Sequence, residues 1–184
     1  MDNTPPRASP ASACRPASRR ASPVQIRSLV PADRLRYVDF LGALAPDDLY
    51  LRMMGSAAPP DSDRITELLA ADGAQTVALV AVEPNGALVG VVRAVVDAAN
   101  ASAEFALIVR SQLKRRGLGT VLLRALLERL RTLGVRRVVG HTFAHNEALL
   151  RLAQGAGFRV SPGDDGMTRK VTLALRPAAV PAPH

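Results

Sequence analysis

The heptapeptide KRRGLGT, Lys114 to Thr120, sets three consecutive cations directly before a Gly-x-Gly that opens a long apolar-periodic segment. A helix N-terminus already leaves its first amides without intrahelical acceptors and carries about half a positive charge from the macrodipole. Arg115 and Arg116 add charge of the same sign, and no Asp, Ser, Thr or Asn stands immediately before Gly117 to accept the amide protons. Like charge at such an end costs roughly 0.3 to 1 kcal/mol. A phosphate group would reverse the sign and use the exposed amides, with Gly117 and Gly119 letting backbone approach ligand closely. The alternative is a solvated basic turn in which glycine merely starts a helix. A P-loop is excluded because no Lys follows the last glycine before Thr120, and a dinucleotide fingerprint because Leu122 stands where a third glycine is needed.

The second candidate is Glu104, the sole acidic residue in the apolar run SAEFALIVR. A carboxylate buried in such a strand is costly without a task or a partner, and burial strengthens a carboxylate as a base. The alternative is that Glu104 marks a solvent-facing strand entrance. His141 and His145 lie four apart around the end of a strand, off any common helical face and without a carboxylate pattern, and read as surface histidines rather than metal ligands. No metal is expected. Cys14, the single cysteine, cannot form an internal disulfide; it fits a reducing, cytoplasmic setting and reads as a bystander thiol.

These residues need elements to position them. The chain has 184 residues, 48% of them hydrophobic, which suits one domain with a real core. Residues 1–22 and 177–184 read as disordered tails, the first basic, around a domain at 23–176. No apolar run is long enough for a membrane helix, and the N-terminal region lacks the apolar core of a secretory signal, so a soluble protein is expected. VQIRSL (24–29) alternates as a strand; Pro31 opens a helix with a stripe through Leu35, Val38 and Leu41; APDDLYLRMM and DSDRITELLAAD each predict another helix. TVALVAVE and ALVGVVRAVVD flank the turn PNGA as a hairpin, and SAEFALIVR is a third strand. A helix with Leu118, Leu122, Leu126, Leu130 and Leu133 on one stripe ends at Gly134. Then come strand VRRVVGHTF, helix NEALLRLAQGAG with Asn146 as cap, and strand TRKVTLAL.

Strand ALIV, the loop KRRGLG with its helix, strand VVGHTF and N-x-x-L-L-x-L-A-x-x-x-G-F (Asn146 to Phe158) together resemble the acetyl-CoA-binding core of the GNAT N-acetyltransferase superfamily. The resemblance spans about residues 24 to 160. The family's loop pattern Q/R-x-x-G-x-G/A is matched by Lys114, Gly117 and Gly119, with Lys as a mild departure. IRSLVPAD, LAPDDLYLRM and AEFALIVR are similar to the GNAT domain of bacterial protein-lysine acetyltransferases. The resemblance implies an α/β GNAT fold whose mixed, mostly antiparallel sheet splays where pantetheine enters. It implies that the backbone of Leu107, Ile108 and Val109 pairs with the pantetheine arm and that the amides of Arg115, Arg116, Gly117, Leu118, Gly119 and Thr120 hold the pyrophosphate. It places Asn146 against the cofactor, with simple helix capping as the other reading, and implies Glu104 as general base. Where many members carry a proton-donating Tyr, this chain has Ala153, so the general acid is unassigned.

The implied reaction moves acetyl from acetyl-CoA, a co-substrate, to a primary amine, a protein lysine being the leading acceptor. A lysine amine titrates near 10.4, so producing it from ammonium at pH 7 costs roughly 4.6 kcal/mol and a base helps. The charge map fits: of the total +8, residues 110–137 carry nine Lys/Arg against Glu128, whereas residues 39–72 carry seven acids against Arg52 and Arg64. The basic region suits an anionic cofactor and the acidic one a cationic acceptor, unless the acids serve only as helix caps. Two rivals share parts of this pattern: a small-molecule amine acetyltransferase, and a non-catalytic CoA-sensing or nucleic-acid-binding module. With no Trp and 3% aromatics, base stacking is unsupported and nucleic acid is disfavoured. A monomer or homodimer is expected.

Overall fold

The computed structural model describes residues 24–56, 60–69 and 75–176. Both expected tails, and Cys14 with them, lie outside this set. The chain begins with β1 (Gln25–Ser28), a 3-10 turn at Pro31–Asp33, and helices α1 (Arg34–Gly42), α2 (Pro46–Arg52) and α3 (Ser62–Leu69). The hairpin strands β2 (Thr76–Val82) and β3 (Leu88–Asp97) follow, then β4 (Ser102–Val109), a 3-10 turn at Ser111–Leu113 and α4 (Leu118–Thr132). The last elements are β5 (Arg137–Phe143), α5 (Glu147–Gly155), β6 (Arg159–Pro162) and β7 (Thr168–Ala174). They form one seven-stranded sheet in the order β1-β2-β3-β4-β5-β7-β6, antiparallel at every junction except β4–β5. No helix among the described residues is long and apolar enough to cross a membrane.

Period-two alternation in β2 explains the two layers. Val77, Leu79 and Ala81 pack into a core with Leu122, Leu123, Leu126 and Leu130 of α4, whereas Ala78, Val80 and Val82 join Tyr37, Phe40, Leu49 and Ile65 from α1, α2 and α3. Both faces of the strand are buried, so its sequence is a continuous apolar run. The turn between β2 and β3 forms as its PNGA sequence predicts: Gly86 takes φ +83°, and Asn85 Oδ1 accepts from the Ala87 amide at 2.9 Å.

Two expectations need correction. In α1 the buried residues are Tyr37, Phe40 and Leu41, while Leu35 is 77% exposed. The helical period is right but the stripe is rotated, because Tyr37 and Phe40 offer more apolar area to the sheet than Leu35 and Val38. The strand β6 was not expected at all. It is four residues long, largely exposed and bonded only to β7, so it has no apolar alternation to announce it.

The segment from β1 to α1 is fastened by a fully buried carboxylate. Asp33 accepts from Arg27 Nη1 at 2.6 Å and Nη2 at 2.7 Å, from Arg36 Nη1 at 3.2 Å and from the Val30 amide at 3.2 Å. The Arg27 hydrogen bonds outweigh desolvation and hold the Asp33 carboxyl down at about 2, against an ordinary value of 3.8. Because the folded value is depressed, the stabilisation is complete above the unfolded value and is lost as pH falls through about 4 toward 2. A depression of this size corresponds to about 2 kcal/mol. Urea unfolding midpoints should therefore drop between pH 5 and pH 3 in the wild type, and Asp33→Asn should remove most of that drop while lowering stability at pH 7.

Candidate active site

The site begins where β4 and β5 part. Their parallel ladder has three pairs, Ser102 with Arg137, Ala103 with Val138, and Glu104 with Val139, and then stops although both strands continue. Across from the first unpaired position of β4, Phe105, stands Gly140. A Cβ on Gly140 would lie 2.6 Å from the Phe105 ring, so the ring occupies the volume of a β5 side chain. Phe158 packs on that ring at 5.3 Å. The aromatic wedge is possible only because β5 has no side chain there.

Beyond the wedge the β5-facing edge of β4 has no strand partner among the described residues. The Arg110 amide donates to Val89 O at 2.9 Å, which by alternation turns the peptide groups of Ile108, Ala106 and Glu104 toward β3. The Arg136 and Arg137 amides donate to Ala101 O on the opposite side, at 2.7 and 3.2 Å, so Phe105, Leu107 and Val109 turn their peptide groups to the opening. This refines the expected pairing run: Leu107 and Val109 offer free backbone, whereas the peptide groups of Ile108 are used by Val91 and only its side chain lines the opening. The opening continues into a cavity of about 510 Å³ that reaches Lys114, Arg115, Gly117, Gly119, Thr120 and Asn146.

At its far end α4 starts as the sequence suggested. Gly117 is the N-cap at φ +83°, with no side chain capping the helix, and Arg115 holds φ +62°, a left-handed conformation that costs a non-glycine residue about 1 to 2 kcal/mol. Uncapped amides, a strained cation and a glycine that no side chain crowds form a nest suited to an anion. Gly119 sits under Leu152 and Leu107, where a Cβ would come within 3.2 Å of the Leu152 side chain. These features fit the diphosphate and pantetheine parts of acetyl-CoA, which supplies an acyl thioester when bound.

Lys114 does something the sequence did not disclose. Its ammonium donates to Asp48 of α2, and Ser111 Oγ donates to the other oxygen of the same carboxylate, which is only 9% exposed. Part of the acidic region thus neutralises part of the basic one within the chain, at the wall of the cavity that Asp48 also lines. Alongside, Tyr50 of α2 stacks on Phe143 at 5.4 Å, and Phe143 on His145 at 5.3 Å, docking α2 against the end of β5.

Asn146 caps α5 by accepting from the Leu149 amide at 3.2 Å and donates to the buried Thr142 hydroxyl at 2.9 Å. It lines the cavity, but these two bonds account for its presence without a cofactor. Ala153 is fully buried in the core beneath α5, so its position supplies no acid.

Glu104 is where the ladder ends, but the expected burial is absent: its side chain is 63% exposed and lines a separate shallow hollow of about 290 Å³ with Val95 and Val139. The odd-numbered residues of β4 point into the α4 core, which leaves Glu104 on the opposite, open face. There Oε1 pairs with His141 Nδ1 at 3.0 Å. The sequence alone marks His141 as an ordinary surface histidine, because nothing in it gives the parallel register that brings it beside Glu104. It lines the main cavity; Glu104 does not.

Residues 45–158, more than half of the chain, match the model of the acetyltransferase (GNAT) family. The chain belongs to that family and is an acetyl-CoA-dependent N-acetyltransferase. The fold is similar to the GNAT domain of PAT from S. lividans, with a TM-score of 0.77 at 19% identity over 83% of this chain and 90% of that one. It is also similar to yncA, a putative acetyltransferase from Salmonella typhimurium solved with its cofactor acetyl-CoA, with a TM-score of 0.67 at 22% identity over 87% and 98% of the two chains. Spermidine N-acetyltransferase from Vibrio cholerae, in complex with CoA and spermine, aligns with a TM-score of 0.67 at 16% identity over 82% and 95%.

The Asp48 clamp makes Lys114 a structural residue first. Lys114→Met should lower stability by about 1 to 3 kcal/mol, because it leaves a mostly buried carboxylate without its cation. If backbone amides hold the diphosphate, the same variant should change the acetyl-CoA Kd by less than about threefold, under 0.7 kcal/mol. Chemical denaturation and calorimetry with acetyl-CoA check the two halves separately.

Proposed function

We propose that the protein transfers acetyl from acetyl-CoA directly to the side-chain amine of a lysine in another protein, with Glu104 as the base of the site. The observation that carries this reading is the end of the β4–β5 ladder at Glu104 and Val139. It sets a carboxylate on the open face of the sheet, in a hollow beside a cavity that fits acetyl-CoA and in contact with His141, which lines that cavity. The diphosphate is held by the amides of Arg115 to Thr120 and the pantetheine arm by the free peptide groups of Leu107 and Val109. The acceptor approaches from the other side, where Glu104 and Val95 are both more than half exposed.

Openness of that face favours a lysine delivered on a protein surface. A small amine draws its binding energy from the walls of its own site, whereas a protein acceptor is held by contacts outside it. The spermidine N-acetyltransferase from Vibrio cholerae, solved with CoA and spermine, keeps a small polyamine as the second reading. The single cysteine in the sequence is consistent with a cytoplasmic enzyme.

Glu104→Gln should lower turnover by about 10²-fold or more with little change in acetyl-CoA affinity. The deficit should narrow as pH approaches about 10, where a lysine amine deprotonates unaided. A uniform rate ratio across pH would remove Glu104 from proton transfer. An acceptor screen read by CoA release, with acetyl-lysine detection on cell protein, tests the acceptor: free turnover of spermidine with no protein acetylation would favour the polyamine reading.

A further inference from the structure

We infer that His141 is the group that meets the acceptor nitrogen, and that Glu104 acts through it as a positioning residue. This rests on the acetyl-transfer reading above and divides the basic function assigned there to Glu104 alone.

Three observations converge on it. First, His141 follows Val139 by two residues, so it is the first side chain on the open face of β5 after the last ladder pair, at the point where the strands diverge. Second, His141 lines the main cavity, whereas Glu104 lines only the neighbouring hollow. Third, an ionised carboxylate can only accept, so the 3.0 Å contact requires the proton of a neutral His141 to sit on Nδ1. The lone pair is then on Nε2, which has no protein partner among the described residues. A carboxylate that fixes the tautomer and supports the developing imidazolium is the same division of labour as in acid–histidine hydrolase sites. Holding an imidazole gives a carboxylate on the open face a use that a lone carboxylate there lacks.

The proton count closes with one group. Acylating an ammonium removes two protons from nitrogen. One is released to water before attack; the other passes to His141 Nε2 as the N–C bond forms to the thioester carbonyl carbon. The C–S bond breaks with its electron pair going to sulfur, and the imidazolium returns its proton there, giving CoA thiol and amide with His141 neutral again. The imidazolium thus provides the acid that the buried Ala153 cannot.

Imidazole ¹⁵N–¹H correlation spectra of the full-length wild-type protein, without ligand, should show neutral His141 as the Nδ1–H tautomer, and Glu104→Ala should convert it toward Nε2–H. In steady-state assays His141→Asn should lower kcat by about 10²-fold while the acetyl-CoA Kd stays within about twofold. Added imidazole should restore at least about tenfold to His141→Ala, a rescue that a merely structural role would not permit. An Nε2–H tautomer in the wild type overturns the proposal even if a variant fails to fold. Full activity in His141→Asn beside a slow Glu104→Gln also overturns it, leaving Glu104 as the direct base. No CoA release by the wild type with any amine acceptor would instead overturn the acetyl-transfer reading, and this inference with it.

Discussion

Three residue pairs join β4 to β5, and the functional half of the sheet depends on there being no fourth. An ordinary parallel ladder would continue through Phe105 and Gly140, closing the backbone edge that now faces the cavity. Instead the Phe105 ring fills the space above Gly140, backed by Phe158, and the strands diverge. Free peptide groups near an apolar core are costly unless something bonds them. The fold leaves them at Leu107 and Val109 because the main core, built by α4 against β2, β3 and β4, is secured independently of that edge. Glu104 and His141 meet at the same point, since Glu104 belongs to the last pair and His141 follows its partner Val139 by two residues.

Charge is distributed to serve this opening, though differently from a simple contrast of basic and acidic regions. The clamp of Lys114 and Ser111 on Asp48 joins the loop that begins α4 to helix α2, which borders the opposite face. Helix α2 and the loop that begins α4 are therefore held by one carboxylate. Arg115, with its left-handed backbone, and the uncapped start of α4 remain as the electropositive end of the cavity. Without a bound anion the loop carries both conformational strain and like-charge repulsion, and a diphosphate relieves the second of these.

What the sequence disclosed follows from which interactions are local. Helix α4, the hairpin and the cap of α5 are written in residues three to four apart, or in a short turn, so their positions are legible. The anion nest was legible too, because its glycines, cations and missing cap lie within seven residues. The rotated face of α1, by contrast, depended on which side met the sheet, and β6 is an edge strand whose pairing supplies nearly all its definition. The Asp48–Lys114 and Glu104–His141 pairs span 66 and 37 residues. Neither separation has a sequence pattern, because the docking of α2 against the loop before α4 decides the first and strand register the second.

Glu104 shows how the same residue type changes meaning with its face. As the one acid in an apolar strand it suggested a buried carboxylate made basic by desolvation. The alternation of β4 fixes the other outcome: with Ala103, Phe105, Leu107 and Val109 turned to the α4 side, residue 104 must emerge on the open face. Water screens it there, and removing a proton from a lysine ammonium at pH 7 still requires about 4.6 kcal/mol. On the open face the carboxylate has the neighbouring imidazole as its partner. It can instead orient a neutral imidazole toward the cavity and keep a negative charge behind it, and the register of β5 places His141 where that arrangement is possible.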